Sequence, residues 1–288
     1  MDTVLIIDSC CDLPLKFVEE NNFPGVYLTT TIGNNTYEDS FGGSISHEEF
    51  YSKMRAGEQP TTSQINTFKY MEIFTKFVME KKPIFYIGFS SALSGSLNNA
   101  IVAKNAIIDK FPYADITIID SKCASLGEGL LIYYAYNMLK SSHPKDEVEA
   151  WVEENKLKLN HWFTVSDLNY LKRGGRISSA TAVVGTLLDI KPILHVDNEG
   201  RLMPVTKVKG RKKSLKMLAD MLFERIVNPE ESVIAISHGD CLEDALYLQK
   251  IILEKVKVKD VIINNVGPVI GSHSGPGTVA LFFFGEKR

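Results

Sequence analysis

The sequence predicts an α/β protein with two domains. A Rossmann-like domain with a mostly parallel sheet and flanking helices is expected over residues 1–160, and a domain with a mixed sheet over residues 161–288. In the first half, single helices separate successive strands, an alternation that implies right-handed crossovers and parallel pairing. In the second half, two strands are joined by a short turn and must be antiparallel. We expect the ligand site between the domains.

Local signals define the elements of the first half. Ser46 and Glu49 match a capping box at the start of one helix, and Asn66 is predicted to cap a helix that ends at Lys81. The buried face of that second helix is predicted to carry Phe68, Met71, Phe74 and Val78. Strands are predicted over residues 4–8, 26–32, 83–88 and 116–120, and further helices over residues 13–21, 97–110 and 126–140.

The pattern changes near residue 160, where a polar connecting helix over residues 145–157 gives way to shorter elements. A tight turn over residues 197–200 joins the two strands of an antiparallel hairpin. Strands are predicted over residues 162–165, 193–196, 203–208, 233–237, 261–264 and 279–284. Helices are predicted over residues 167–172, from Ser178 onward, and over residues 211–226 and 241–255.

Three segments carry hydroxyl groups in turn-like settings: Ser90–Ser96, Pro60–Gln64 and Gly271–Thr278. The first of them lies between a predicted strand and a predicted helix. There the unpaired N–H groups and the positive end of the helix dipole favour an anion. Brought together, the three segments would form a cradle for a carboxylate or a phosphate that carries almost no formal charge.

The segment Ser90–Ser96 also allows two other interpretations, a simple helix cap and a hydrolase nucleophile. The second requires Gly-x-Ser-x-Gly, but Ala92 occupies the fifth position of the motif that begins at Gly88. No GxxxxGK[ST] phosphate loop occurs in the sequence. The pair Gly127 and Gly129 is interpreted as helix packing and not as a dinucleotide site, because Glu128 between them would repel a pyrophosphate.

Polar residues also follow the predicted strands, at Asp8–Ser9 and Asp120–Ser121. They either line the crevice at the carboxyl ends of the parallel strands or cap the following helices. Among the six histidines, only His273 lies in a glycine-rich segment that favours a ligand role. The other five are assigned structural roles.

Basic residues cluster in two places. Arg173 and Arg176 flank a Gly-Gly turn, where two guanidiniums either bind a phosphate or complement the end of a helix. The segment Lys207–Lys216 carries six basic residues in ten. Positive charge at a helix start opposes the helix dipole, which favours an acidic partner or a phosphate there.

Composition excludes several classes of protein. The chain has 32 basic and 35 acidic residues, a formal net charge of −3, so nothing indicates nucleic acid as a partner. No apolar run approaches the roughly 20 residues that span a bilayer, and the N-terminus opens as a strand without a basic signal-peptide region. We therefore expect a cytoplasmic protein. Its four cysteines and six histidines show no metal-binding spacing.

Taken together, these segments resemble the DegV family, the fatty-acid-binding subunits of bacterial fatty acid kinase. The resemblance covers the whole chain and rests on eight segments in the same order: IIDSCCDLP, PTTSQ, FSSALSGS, IDSKCASLGEG, LNYLKRGGRIS, KPIL, KVKGRKK and GSHSGPGT. It implies a two-domain DegV-like fold that buries an acyl chain and presents its carboxylate to a separate ATP-dependent kinase, which forms acyl phosphate. It implies no cofactor and at most transient membrane contact.

Position by position, the resemblance assigns the fatty acid carboxylate to Thr62, Ser94 and His273. The neighbouring site residues that it implies are Ser63, Ser91 and Gly95. The expected ligand is a fatty acid of the palmitate, stearate or oleate class. The expected partner is the kinase, for which the basic residues Arg173, Arg176, Arg211 and Lys212 are the predicted docking residues.

The chemistry of the residues agrees with a carrier that lacks a catalytic site. About 14 buried methylenes at roughly 0.8 kcal/mol each contribute on the order of 11 kcal/mol, much of which is offset by the costs of binding. Neutral hydroxyls then need only orient the head group. Two alternatives stay open: a stand-alone phosphotransferase or hydrolase that uses Ser94 and His273, and a lipid-responsive regulatory protein.

Overall fold

The computed structural model of the protein describes residues 3–178 and 189–288, so the helix predicted from Ser178 onward lies outside them. Strands and helices alternate through most of the first half of the chain, as the sequence predicts, but β2, β3 and β4 follow one another without a helix. The strands are β1 Val4–Asp8, β2 Gly25–Val26, β3 Thr29–Ile32, β4 Asn35–Glu38, β5 Thr61–Ser63, β6 Ile84–Gly88, β7 Ile116–Asp120, β8 Leu159–Thr164, β9 Ile190–Val196, β10 Leu202–Lys209, β11 Val233–His238, β12 Asp260–Asn265 and β13 Val279–Phe284. The α-helices are α1 Leu15–Glu20, α2 His47–Arg55, α3 Thr67–Met79, α4 Ser96–Lys110, α5 Leu126–Lys140, α6 Lys145–Asn155, α7 Asn169–Arg173, α8 Arg211–Arg225, α9 Leu242–Leu253 and α10 Pro268–Ser274.

The described strands form three sheets. Four parallel strands make the first, in the order β2-β1-β6-β7. Six strands make the second, in the order β10-β9-β8-β13-β11-β12, where only β11 and β12 pair in parallel. The third is a small antiparallel sheet, β4-β3-β5. The predicted α/β class, with a parallel first sheet and a mixed second sheet, is confirmed.

Helix α5 packs against both larger sheets and joins them in one hydrophobic core. Its Leu130 and Leu131 are fully buried, in a cluster that also holds Phe85 of β6 and Phe282 of β13. Helices α8 and α9 cover the opposite face of the six-stranded sheet. Leu281, which precedes Phe282 in β13, packs on that face because side chains alternate along a strand. Because a single core joins the two sheets, the domain boundary at residue 160 stays a prediction.

Both predicted helix caps are present. Ser46 Oγ accepts a hydrogen bond from Glu49 N at 3.1 Å, and Asn66 Oδ1 accepts one from Lys69 N at 3.0 Å. The predicted buried face of α3 is partly wrong, because Phe68 is 81% exposed. The buried residues of α3, which recur at helical spacing, are instead Tyr70, Phe74, Phe77 and Val78.

Three other predictions are wrong. The segment Pro60–Gln64, predicted as turn-like, contains strand β5, which pairs with β3. The strand predicted over residues 26–32 is two strands in two different sheets. Between them, Leu28 N donates a hydrogen bond to Ser9 Oγ at 3.1 Å and leaves the ladder. The glycine-rich segment Gly271–Thr278, predicted as a loop, begins inside α10, so that His273 lies in the last turn of a helix.

Candidate functional site

A cavity of about 410 Å³ opens between the residues of the first half and the α5-facing side of the six-stranded sheet. Its volume falls within the roughly 300–1,000 Å³ of typical small-ligand pockets. Apolar side chains from many elements form most of its wall, among them Leu28, Phe89, Phe163, Val269 and Phe282. Such a wall suits an apolar ligand.

Half-buried and exposed polar residues surround the outer part of the cavity, and we call them the mouth group. They come from strand β5 and the residue after it, the loop before α4, the turn after α7 and the end of α10. The mouth group is Thr62, Ser63, Gln64, Ser94, Arg176 and His273. The structure therefore brings the three hydroxyl-bearing segments together at one opening.

Thr62 and His273 form one hydrogen-bonded pair of the mouth group, with Thr62 Oγ1 2.8 Å from His273 Nε2. His273 Nδ1 is buried without a partner among the described residues, so we assign the single proton of the neutral ring to Nε2. Nε2 then donates to Thr62 Oγ1. The hydroxyl proton of Thr62 remains free for an acceptor on a ligand.

Ser94 is arranged in the same way. Its Oγ accepts a hydrogen bond from Ser96 N at 3.2 Å and lies 3.0 Å from Ser96 Oγ. Ser96 Oγ in turn accepts from Ile65 N at 3.1 Å, which leaves its own proton for Ser94. We assign Ser96 as the donor in this contact, and the hydroxyl proton of Ser94 is then free to point at a ligand oxygen.

The electrostatics of the site keep His273 neutral. Burial, together with the nearby guanidiniums of Arg176 and Arg173, lowers the pKa of His273 from 6.5 to about 4. Gly174 packs directly against the ring, because a Cβ at that position would overlap His273 Nδ1. The imidazole is thus fixed as a neutral hydrogen-bond donor at neutral pH.

Comparison with known proteins places the chain in a family. The family described as "Uncharacterised protein, DegV family" matches residues 2–286. A DegV domain-containing protein of Clostridium perfringens is 48% identical over 285 residues, which cover 99% of this chain and 98% of that protein. The chain belongs to the DegV family.

Two solved structures of similar proteins share the DegV fold. A DegV family protein of Thermus thermophilus, described for its fatty acid binding, is 28% identical with a TM-score of 0.88, over 99% of this chain and 100% of that one. A stearic-acid-binding protein of Eubacterium ventriosum is 26% identical with a TM-score of 0.87, over 99% of this chain and 98% of that one.

One expectation about the DegV site is wrong, namely that its cradle carries almost no formal charge. Arg176 lines the cavity and donates hydrogen bonds from Nε and Nη2 to Leu93 O, at 3.2 and 3.1 Å. Its Nη1 donates to Gly174 O. The turn after α7 folds the guanidinium back over the loop before α4, and burial lowers its pKa. Its bonds to two carbonyl groups also argue against a role in partner docking.

The other predicted residues lie at different distances from the cavity. Ser63 lines the cavity, and Gly95 packs against the side chain of Gln64. Ser91 does not line it: its backbone N donates to Asp120 Oδ1 at 3.2 Å, and its hydroxyl donates to the same carboxylate. Asp120 is therefore held by the loop before α4 and does not face the ligand site.

The predicted docking residues other than Arg176 lie on the surface of the DegV fold. Arg173 stacks over the Tyr170 ring, 5.0 Å from its centroid. Arg211 forms an ion pair with Asp244 at 2.9 Å, so its charge is already partnered. Lys212 is exposed at the start of α8.

Buried carboxyl groups hold α10 in place. Asp12 Oδ1 accepts from Gly267 N at 2.9 Å, and Asp39 Oδ2 accepts from Val269 N at 3.0 Å. Near the other end of the helix, Ser272 Oγ lies 2.9 Å from Thr30 Oγ1. These contacts fix the helix that carries His273. Asp8, the last residue of β1, caps the following helical turn by accepting a hydrogen bond from Cys10 N, as the capping interpretation states.

Sequence reasoning missed three buried polar residues of the cavity: Ser125, His161 and Ser237. Strand periodicity could have found His161 and Ser237, because each shares a sheet face with an apolar residue two positions away, Phe163 and Ala235 respectively. Within residues 3–178 and 189–288, no group of three His, Cys, Asp or Glu residues could hold a metal ion. Among the helices of those residues, none is long and apolar enough to cross a membrane.

Proposed function

We propose that this protein binds one long-chain fatty acid, with the carboxylate at the mouth group and the tail inside the cavity. One observation carries the proposal: Thr62 and Ser94 each have a hydroxyl oxygen already engaged by the protein and a free proton at the same opening. Two hydroxyl donors directed at one opening suit an anion. Similar DegV proteins that bind fatty acids support the same ligand class.

The tail and the head group of a bound fatty acid contribute different amounts of binding free energy. Each methylene transferred from water contributes about 0.8 kcal/mol, whereas one neutral hydrogen bond contributes about 0.5–1.5 kcal/mol net. The apolar wall therefore supplies most of the affinity, and the hydroxyls set the orientation of the head group. Arg176 contributes positive potential, but carbonyl groups already hold three of its nitrogens.

The protein acts as the carrier subunit that presents the carboxylate to a separate ATP-dependent kinase. The resemblance to fatty-acid-binding kinase subunits supports this role, and so does the half-buried position of Thr62 and Ser94 at the opening. A stand-alone hydrolase is less well supported, because it needs a base on Ser94. His273 Nε2 instead lies 2.8 Å from Thr62 Oγ1, and its Nδ1 packs against Gly174.

Displacement of a fluorescent fatty acid tests the head-group assignment. Stearate and stearyl alcohol, which share a tail but differ in charge, are compared on the wild type and on Thr62→Val. We expect Thr62→Val to weaken stearate by at least two- to tenfold and to weaken the alcohol less, because a hydrogen bond to a charged carboxylate is stronger than one to a neutral hydroxyl. Thr61→Val, which changes the exposed neighbour on the same strand, is the matched control. Equal effects of the two variants on stearate would place the head group elsewhere.

A coupled assay tests the carrier role. The protein alone should not hydrolyse ATP or esters, and addition of a cognate fatty acid kinase should yield acyl phosphate from ATP and the bound fatty acid. ATP-dependent turnover by the purified protein without a kinase would instead support the stand-alone enzyme.

A further inference from the structure

The inner part of the cavity is not uniformly apolar. Three residues there, Ser125, His161 and Ser237, line the wall with exposures of 5%, 2% and 0%. We call them the inner polar group. Because the mouth group is half-buried or exposed, the difference in exposure places the inner polar group deeper in the cavity, where the tail of a bound fatty acid would lie.

Within the inner polar group, the hydroxyl of Ser237 can make more hydrogen bonds than the structure gives it. Ser125 Oγ contacts both Asp12 Oδ2 and Ser237 Oγ, the latter at 2.9 Å. With one proton, Ser125 satisfies only one of these partners as a donor. Ser237 therefore keeps hydrogen-bonding capacity, as a donor or as an acceptor, that these contacts do not use.

His161 lines the same region as a neutral ring whose two nitrogens are both bonded to the protein. Its Nδ1 lies 3.0 Å from Leu159 O, and because a carbonyl only accepts, Nδ1 carries the proton. Nε2 therefore carries the lone pair, which accepts a long hydrogen bond of 3.4 Å from Ala124 N beside Gly127 at the start of α5. Burial lowers the pKa of His161 well below 6.5, which keeps the ring neutral.

A further hydroxyl along the same wall has no partner at all among the described residues. Ser274 is 5% exposed and lines the cavity, but its Oγ makes no hydrogen bond. Its backbone is fixed beside β13, because Thr278 Oγ1 donates to Ser274 O at 3.0 Å. A plain alkyl tail would leave Ser274 Oγ without a partner, a situation that native proteins mostly avoid, and would leave the spare capacity of Ser237 unused.

We propose that the inner polar group, with Ser274, is a subsite for a hydroxyl group on the acyl chain. This inference rests on the proposed fatty acid binding and specifies its ligand class: fatty acids that carry a hydroxyl in the middle or distal part of the chain. A hydroxyl both donates and accepts. It can therefore donate to one of the two hydroxyls, Ser237 Oγ or Ser274 Oγ, and accept from the other, whereas a ketone oxygen can only accept.

The test is competitive displacement with stearate and a series of hydroxystearates whose hydroxyl is placed at successive carbons. We expect one narrow range of positions to bind at least as tightly as stearate. Positions outside that range should bind about tenfold more weakly or worse, because their hydroxyl is buried without a partner. This preference should be lost in Ser237→Ala or in Ser274→Ala, the second of which removes an oxygen that has no bond to lose.

Thr164→Val is the matched control, because it removes another buried hydroxyl without a partner that does not line the cavity. It should keep the positional preference. If stearate binds but every hydroxystearate binds at least tenfold more weakly, or if the preference survives in both serine variants, the inference is wrong while fatty acid binding stands. If neither stearate nor any hydroxystearate binds, the proposed function fails and the subsite with it.

Discussion

The two hydroxyl groups at the mouth of the cavity are oriented for an anion by neighbouring residues. His273 donates to Thr62, and Ser96 is placed to donate to Ser94. Each hydroxyl is thereby left with its proton for the ligand, and no formal positive charge is needed at the point of contact. Contact with two neutral hydroxyls leaves the carboxylate more nucleophilic than a direct ion pair with Arg176 would, and the carbonyl groups of Leu93 and Gly174 already hold that guanidinium.

Replacement of both hydroxyls tests whether they act on the same carboxylate. Ser94→Ala alone should weaken fatty acid binding by about 0.5–1.5 kcal/mol, and Ser94→Ala with Thr62→Val should weaken it further. The fold should persist, since neither substitution opens a core cavity. Isothermal titration with palmitate measures the loss, and thermal unfolding of the lipid-free protein controls for stability. Unchanged affinity in the double variant would show that the head group binds elsewhere.

Gly174 offers a test of the position of His273 that leaves the histidine itself in place. Its φ of −71° suits alanine, but a Cβ would overlap His273 Nδ1. Gly174→Ala should therefore displace the ring, break its hydrogen bond to Thr62, and weaken carboxylate binding several-fold.

The same substitution should have little further effect once the ring is absent. In a double-mutant cycle measured by fatty acid titration, Gly174→Ala in a His273→Ala background should change affinity less than it does in the wild type. Equal effects in the two backgrounds would mean that Gly174 acts on something other than His273.

The pH dependence of stability reports on the same histidine. Because its pKa is lowered from 6.5 to about 4, the unfolded chain binds a proton between these values that the native state does not. The contribution of His273 is therefore present above pH 6.5 and lost as the pH falls toward 4. Urea unfolding of the wild type and His273→Asn should show a difference in stability that is constant above pH 7 and changes in this direction between pH 6.5 and 4. A constant difference across the whole range would contradict a neutral, buried ring.

At the scale of elements, helix α10 is held by residues distant in sequence. Asp12 and Asp39 accept hydrogen bonds from its first turn and the residue before it, across separations of 255 and 230 residues. The helices capped by Ser46 and Asn66 carry their caps three residues from the bonded N–H group. Local sequence therefore predicts those two helices, whereas α10 is visible only after the chain has folded.

Asp39 should make stability fall as pH rises. Burial raises its pKa from 3.8 to about 7, so the native state keeps a proton that the unfolded chain releases. This contribution is fully present below pH 3.8 and is lost as the pH rises through 7. Asp39→Asn keeps an acceptor for Val269 N without a titrating group. It should be more stable than the wild type at pH 8, with a smaller difference at pH 5, in urea unfolding.

Asp39→Ala provides the comparison, since it removes the acceptor and should destabilise the protein at both pH values. If Asp39→Asn and Asp39→Ala behaved alike, the carboxyl group would not be acting as the cap of α10.

Long-range packing also explains which site residues the sequence could predict. Thr62, Ser94 and His273 lie in hydroxyl-rich segments, and this composition was enough to predict them as binding residues, although Thr62 lies on a strand and His273 in a helix. The sequence predicts Arg176 as a docking residue, because only the folded turn shows that its guanidinium donates hydrogen bonds to Leu93 O. The pairing of distant strands in the sheets determines which of these segments come together, and the local sequence of a segment does not show it.

At the scale of the whole molecule, the net charge of −3 hides a local basic surface. Lys212, Lys213 and Lys216 are exposed on α8, whereas Arg211 is held by Asp244. We propose that the exposed lysines dock the kinase. Lys212→Glu with Lys213→Glu should slow association with the kinase, more strongly at low salt where screening is weak, without changing fatty acid affinity.

Stopped-flow association and fatty acid titration on the same variant separate the two effects. Lys16→Glu, a charge reversal at an exposed residue of α1, is the matched control and should leave association unchanged. Loss of lipid affinity with normal association would show that α8 supports the cavity and not the partner.

The central claim, that this protein carries a fatty acid, is tested most directly by native mass spectrometry of the purified protein. We expect one additional mass per chain, equal to that of a long-chain fatty acid, because the apolar cavity is costly to leave filled with water. Extraction and identification of the lipid then give its length and any hydroxyl group. Protein that is repeatedly free of lipid and that also fails to bind added palmitate or oleate would contradict the account.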